Sequence, residues 1–173
     1  IVSIEDHIED QNAKSLQLEQ LHVSTGWFDP NVSFGEPGYE ERETIANGLA
    51  TAAKSGFTSI VLNPNTLPLV DSFADVSNLI NQGKNHTTQL LVSGMLSEGG
   101  LGQQMASLSD MHQAGAVAFG DFKQSLDNPN LLRIALDYVQ TFDGLILACP
   151  IDSHLSNHGQ MHEGKTSTYL GIR

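Results

Sequence analysis

Several residues of this chain are of types that could do chemistry, and their spacing limits what that chemistry could be. His154, His158 and His162 recur every four residues, which on a helix would stack three imidazoles on one face and suit a zinc ion. Gly159 interrupts that run, so surface or loop histidines bonded locally are the competing reading. Cys149 could act as a thiolate, either as nucleophile or as a soft metal ligand. No histidine has an expected place beside it, and a free cysteine is otherwise a small buried hydrophobe. Glu98-Gly-Gly-Leu-Gly102 invites comparison with a phosphate-binding loop, but no Lys-Ser/Thr follows it. It reads as a flexible connection between strand and helix. Asn31 and Ser33 alternate with Val32 and Phe34, placing two polar groups on one face of an extended segment and two apolar groups on the other.

These residues need elements to carry them, and the apolar pattern supplies a rhythm. A helix is expected from Tyr39, with Glu40, Glu41 and Glu43 in its first turn and Ile45, Leu49, Ala52 and Ala53 inward, stopping at Gly56. Phe57 to Leu62 is an apolar run of strand length, as in a strand covered on both faces. Asp71 or Ser72 caps a second helix with Phe73, Val76, Leu79 and Ile80 inward. Gln89 to Met95 is a further strand, followed by a helix from about Gln103 to Gln113 and a strand from Ala116 to Phe119. Pro129 opens a helix with Leu131, Leu132, Ala135, Leu136 and Val139 inward, and Gly144 to Ala148 is the next strand. Strands and helices alternating in this way imply a parallel sheet of right-handed βαβ units. With no glycine-rich nucleotide fingerprint, a (β/α)8 barrel fits better than a doubly wound sheet. Ahead of these lie Ile1 to Ile4 and Ser15 to Leu18, which alternate like strands around a turn at Glu9 to Asn12. A simple hairpin is one reading of them.

Motifs at the ends of these strands carry a resemblance. The segment from Gly26 to Gly38 is similar to the first barrel strand of the dihydroorotase branch of the amidohydrolase superfamily, whose pattern is Pro-Gly-x-x-Asp-x-His-x-His-x-Arg-Glu-Pro-Gly. Gly26, Asp29, Glu36, Pro37 and Gly38 stand in register. Asn63-Pro-Asn-Thr-Leu-Pro68 resembles the family's Met-Pro-Asn-Thr-x-Pro. Ala114 to Asp121 resembles the segment ending in Asp-Asp-Gly, with Phe122 and Lys123 in the next two positions. Cys149 to Leu155 lines up with His-x-Glu-Asp-x-x-Leu, and Gln160 to Gly171 with Met-x-Glu-Gly-x-x-Ser-x-x-Leu-Gly. The resemblance implies an α/β fold, a (β/α)8 barrel of which about five βα units are present from residue 27 to 173. Residues 1–26 would be strands of a small β-sandwich, and the natural chain would continue past Arg173 with about three more units.

The resemblance also says where the chemistry should be. In active relatives zinc activates a hydroxide that hydrolyses or closes a cyclic amide. The metal-binding histidines of the first strand are replaced by Asn31 and Ser33, and the substrate-binding arginine by Gly35. Cys149 stands at a further histidine, while Asp121 stands at one of the two family aspartates, one of which bridges the metals. Asn65 takes the substrate-contacting position, or holds its own loop as a turn residue. Asn31 offers a weak neutral oxygen and Ser33 a poor zinc ligand, and one thiolate with one carboxylate does not hold a catalytic ion. No cofactor and no catalytic residue are therefore expected. Two functions stay open: an inactive homologue acting as a scaffold, with aspartate carbamoyltransferase as candidate partner and self-association expected, or a cyclic amidohydrolase with an altered site.

Composition sets outer limits. The chain has 173 residues and a formal charge of −12, which disfavours nucleic acid or an anionic membrane as partner. One cysteine makes no internal disulfide, as expected of a reducing cytoplasm. No apolar run approaches the ~20 residues of a membrane span.

Overall fold

The computed structural model describes residues 5, 12, 14, 18–152 and 159–172. The strands expected at Ile1 to Ile4 and Ser15 to Leu18, and His154 and His158, lie outside these or largely so. Residues 18–26 carry no strand, and Val23 is exposed. From there the chain forms β1 (Trp27–Val32), α1 (Ile45–Lys54), β2 (Phe57–Leu62), α2 (Phe73–Gln82), β3 (Gln89–Gly94), α3 (Leu108–Ala114), β4 (Ala116–Phe119), α4 (Pro129–Val139) and α5 (Lys165–Leu170). The strands make one sheet in the order β1-β2-β3-β4, parallel throughout.

The core explains why these segments become strands and helices. Ile60, Leu62, Val92 and Phe119 from the sheet pack with Ile45, Leu49, Val76, Leu79, Leu108 and Met111 from the helices. Each of these side chains is almost fully buried, and burying one is worth roughly 1.5–3 kcal/mol. Local signals fix the helix ends. The Thr44 hydroxyl accepts from Asn47 N at the start of α1, Ser72 does the same for α2 from Asp75 N, and Asn128 caps α4 ahead of Pro129.

Four expectations need correction. α1 begins at Ile45, not Tyr39, because Glu36, nine residues upstream, places its carboxylate to accept from the Ile45 backbone N–H at 2.8 Å. Glu40 and Glu41 thus lie in an irregular loop ahead of the helix, and Glu43 sits just before its Thr44 cap, accepting from Thr44 N and from the Asn47 amide. α3 begins at Leu108, because the residues before it fold back: Ser97 bridges to Met105 and Glu98 N donates to Gln104 O. The expected strand at Gly144 to Ala148 is an extended segment with a single bridge, Phe119 to Ile146. It is held by Phe119 N donating to Leu145 O and Leu147 N to Phe119 O. Phe73 and Leu136, expected inward, are half exposed, since Val76 and Leu79 on α2 and Leu131, Ala135 and Val139 on α4 already fill the buried stripe.

Candidate functional site

The carboxyl ends of the strands converge on one cavity. It has a volume of about 440 Å³ and its lining includes Asn31, Asn63, Asp121, Lys123 and Cys149. Each arrives from a different connection: Asn31 from β1, Asn63 from just past β2, Asp121 and Lys123 from the turn after β4, and Cys149 from the end of the extended segment that follows. Position outside the carboxyl ends of parallel strands is where ligands bind in α/β sheets. The walls are largely apolar, with Pro30, Pro64, Phe122 and Leu147 among them, a composition suited to a small organic molecule.

The polar groups of this mouth are mostly occupied with one another. Asn63 Nδ2 donates to Asn31 Oδ1 at 2.7 Å and to Ser33 Oγ at 3.3 Å. The Ser33 hydroxyl in turn donates to Asn65 Oδ1 at 3.1 Å. Asn31 and Ser33 thus do share a face, while Val32 and Phe34 pack toward the core. Neither Asn65 nor Ser33 lines the cavity; Asn65 is linked to its wall through Ser33 and then Asn63. Asn63 was not singled out by sequence reasoning. Its signal was an amide in a position that the family pattern fills with methionine.

Asp121 is also committed. Its side chain is buried, and Oδ1 accepts from the backbone N–H of Leu96 at 3.0 Å and of Ser97 at 2.9 Å, while Oδ2 accepts from the Ser97 hydroxyl. This carboxylate anchors the β3–α3 loop. The same loop is tied at Gly99, whose N–H donates to Asp71 Oδ2 at 3.0 Å, and at Gly102, which donates to Ser97 Oγ at 2.8 Å. Its glycines thus belong to a short clamped turn, with a 3₁₀ helix at Glu98–Gly100.

Gly35 has no room for a side chain. A Cβ there would lie 1.7 Å from the Tyr39 carbonyl oxygen, because Tyr39 N donates back to Gly35 O at 2.8 Å and closes the turn. Glu36 and Gly38, which match the family pattern, do architectural work. Glu36 caps α1, and Gly38, with φ of +97°, sits where a Cβ would meet the Leu67 carbonyl oxygen at 2.5 Å. Beside it, the Gly38 N–H donates to Glu40 Oε1, which with Glu40's own N–H holds that carboxyl below its ordinary range. His162 lies in an irregular segment ahead of α5, not on a helix.

A zinc centre asks for several imidazole, thiolate or carboxylate donors converging on an open position. Here the oxygens of Asn31 and Ser33 are bonded to Asn63, and the carboxylate of Asp121 accepts from three donors, two of them backbone N–H groups. Among the described residues no group of three or more His, Cys, Asp or Glu stands close enough to hold a metal ion. The donor set does not fit the metal.

Fold and site together define a parallel α/β protein with a cleft at the carboxyl edge of its sheet. No family model matches the chain. Its sequence is nonetheless dihydroorotase-like along nearly its whole length. The dihydroorotase of Pelotomaculum thermopropionicum is 36% identical over 167 residues, covering 96% of this chain and 39% of the relative. That of Ruminiclostridium cellulolyticum is 34% identical over 167 residues, with coverage of 96% and 39%. That of Solibacter usitatus is 32% identical over 174 residues, covering 100% of this chain and 40% of the relative. The chain spans about two fifths of the length of these curated relatives. Among the described residues no helix is long and apolar enough to cross a membrane.

Proposed function

We propose that this chain is the front part of a dihydroorotase-like (β/α)8 barrel that has lost the metal chemistry and serves as a structural or partner-binding homologue. On this reading residues 27–173 are the barrel portion and residues 1–26 belong to a β-sandwich beside it. The observation that carries the reading is the state of the degenerate ligand positions. Asn31 and Ser33 are joined to Asn63, and Asp121 is consumed by the loop it anchors. A metal-activated hydroxide has nothing to hold it there, while the groups that shape the loops, Glu36, Pro37 and Gly38, remain. Asn65, bonded to Ser33, keeps an amide N–H₂ for a retained ligand. The proposed setting is the cytoplasm, with self-association and with aspartate carbamoyltransferase as the first candidate partner.

A second reading is a cyclic amidohydrolase with an altered site. What favours it is the cavity itself, which has room for a small cyclic amide and places Cys149 and Lys123 on its wall. Turnover separates the two. Homogeneous full-length protein, assayed in both directions for dihydroorotate hydrolysis and formation with and without added zinc, is expected to show none. Co-purification with the transcarbamoylase is expected alongside. Steady turnover abolished by a chelator would overturn the scaffold reading and establish the second.

A further inference from the structure

The turn after β4 holds a backbone conformation that its residues do not favour. Gln124 N donates to Asp121 O at 2.9 Å, closing a four-residue turn with Phe122 and Lys123 at its centre. Lys123 has φ of +58°, the left-handed region that the second central position of such a turn usually gives to Gly or Asn. A lysine there strains the backbone, because its Cβ crowds the following carbonyl. Local bonding does not offset this. Among the described residues no carboxylate stands within ion-pairing distance of the ammonium, which lies 5.0 Å from the centre of the Phe122 ring. Strain of this kind persists where the surroundings hold it, and it clusters at ligand sites. Here the base of the turn is held through Asp121, which accepts from the backbone N–H groups of Leu96 and Ser97.

The strained turn borders the cavity at the carboxyl ends of the strands. Phe122 and Lys123 both line it, with Pro30, Pro64 and Leu147 as further apolar wall. Among the described residues Lys123 is the one cation in that lining, and the anion Asp121 already accepts from three donors. The oxygen of Asn31 accepts from Asn63, which leaves the Asn31 N–H₂ as a neutral donor on the same wall. We infer that this cavity binds an aryl carboxylate, an apolar ring with one anionic head. Lys123 holds the carboxylate, and the ring lies among Phe122, Pro30, Pro64 and Leu147. The inference rests on the proposed loss of the metal centre, which leaves the mouth of the sheet to an organic occupant.

The lining favours this class over others. A polar ring rich in amide groups would need several donors, yet both Asn63 hydrogens go to Asn31 and Ser33, and the Ser93 hydroxyl donates to Leu62 O at 2.8 Å. Such a ring would lose water against proline and phenylalanine without full replacement. A phosphate would find one ammonium and one amide, too few donors for its oxygens. An apolar ring needs none of these. Phe122 favours an aromatic ring over an alkyl chain, since aromatic pairs gain beyond their buried area.

The test is titration calorimetry on the full-length protein with 2-naphthoate, its neutral counterpart 2-naphthamide, and dihydroorotate. The parent is expected to bind 2-naphthoate saturably, more tightly than either of the others, and less tightly as salt is added. Lys123→Gly is expected to weaken 2-naphthoate about 10- to 100-fold, the value of a hydrogen bond to a charged group. The same variant should keep or raise the melting temperature, because glycine relieves the left-handed strain. Lys123→Arg, which keeps the charge, should retain most of the binding. 2-Naphthamide should bind parent and variants alike. Unchanged 2-naphthoate affinity in Lys123→Gly would overturn the proposal, as would equal affinity for acid and amide, tighter binding of dihydroorotate, or no saturable binding to the parent. A lowered melting temperature in Lys123→Gly would also overturn it, since the lysine would then serve the fold. The outcome is separable from the proposed function. An inactive protein that does not bind 2-naphthoate removes the site and leaves the scaffold reading. Turnover in a protein whose 2-naphthoate binding depends on Lys123 does the reverse.

Discussion

Asp121→Ala should unfold the β3–α3 loop and cost the protein a large share of its stability. The carboxylate is 5% exposed, and Leu96 and Ser97, whose backbone N–H groups it accepts, are fully buried. Truncation removes two charge-assisted backbone bonds and the bond from the Ser97 hydroxyl. Hydrogen bonds to a charged group are worth about 1.5–3 kcal/mol each, and buried donors left unpaired cost about 1–3 kcal/mol each, not additively. A total of about 3–5 kcal/mol follows, or a melting temperature lower by roughly 6–20 °C for a domain of this length. Asp121→Asn should be milder, about 1–2 kcal/mol. Its remaining oxygen can still accept from both backbone groups, but its amide N–H₂ would face a Ser97 oxygen that already accepts from Gly102 N. Thermal melts in the presence of a chelator, with limited proteolysis at residues 98–104, measure both effects. If Asp121→Ala melts within about 2 °C of the parent, the carboxylate is not the anchor described. If its effect appears only when zinc is present, the residue is a metal ligand and the reasoning fails.

Two further outcomes are expected. Gly35→Ala should destabilise by about 1–3 kcal/mol, the usual cost of forcing atoms into filled space, because the new Cβ would meet the Tyr39 carbonyl oxygen at 1.7 Å. Gly35→Arg, which restores the family residue, should be at least as costly and should confer no turnover; normal melting of either variant would refute the steric account. For Glu40, the carboxyl pKa is lowered in the folded chain, first by the Gly38 N–H and then by its own. Its contribution to stability is therefore present above the unfolded pKa and fades as pH falls through the folded one. Carbon-13 titration should place the Glu40 midpoint below that of the unfolded chain, and Glu40→Gln should erase this part of the acid dependence; coincident midpoints would contradict the assignment.

Much of the frame was legible without coordinates. β2 and β4 were readable as apolar runs because a parallel strand covered on both faces needs apolar residues at successive positions. Their observed bounds, Phe57–Leu62 and Ala116–Phe119, are those of the runs. The start of α4 was legible in Asn128 and Pro129, whose capping and fixed φ act within one turn of chain. The starts of α1 and α3 were not. Glutamates at 40, 41 and 43 look like a first helical turn, but the N-terminus of α1 is satisfied by Glu36 from nine residues upstream. Residues 103 to 107 look helical, yet they pair back onto Ser97 and Glu98.

The same division runs through the site. Residue types alone raised the expectation of a missing zinc centre, because an amide and a hydroxyl are poor zinc donors wherever they stand. They could not determine what those groups do instead, since a hydrogen bond depends on distance and direction, and its partners here lie about thirty residues apart in the chain. Folding brings Asn63 to Asn31 and Ser33, bonds the cavity-lining Asp121 to the loop at Leu96 and Ser97, and closes Tyr39 over Gly35. The amino-acid sequence specified which residue types stand at the strand ends. Only the packing of β1 against β2, and of the β3–α3 loop against the end of β4, decided what those groups bond to, because only there do the donors and acceptors meet.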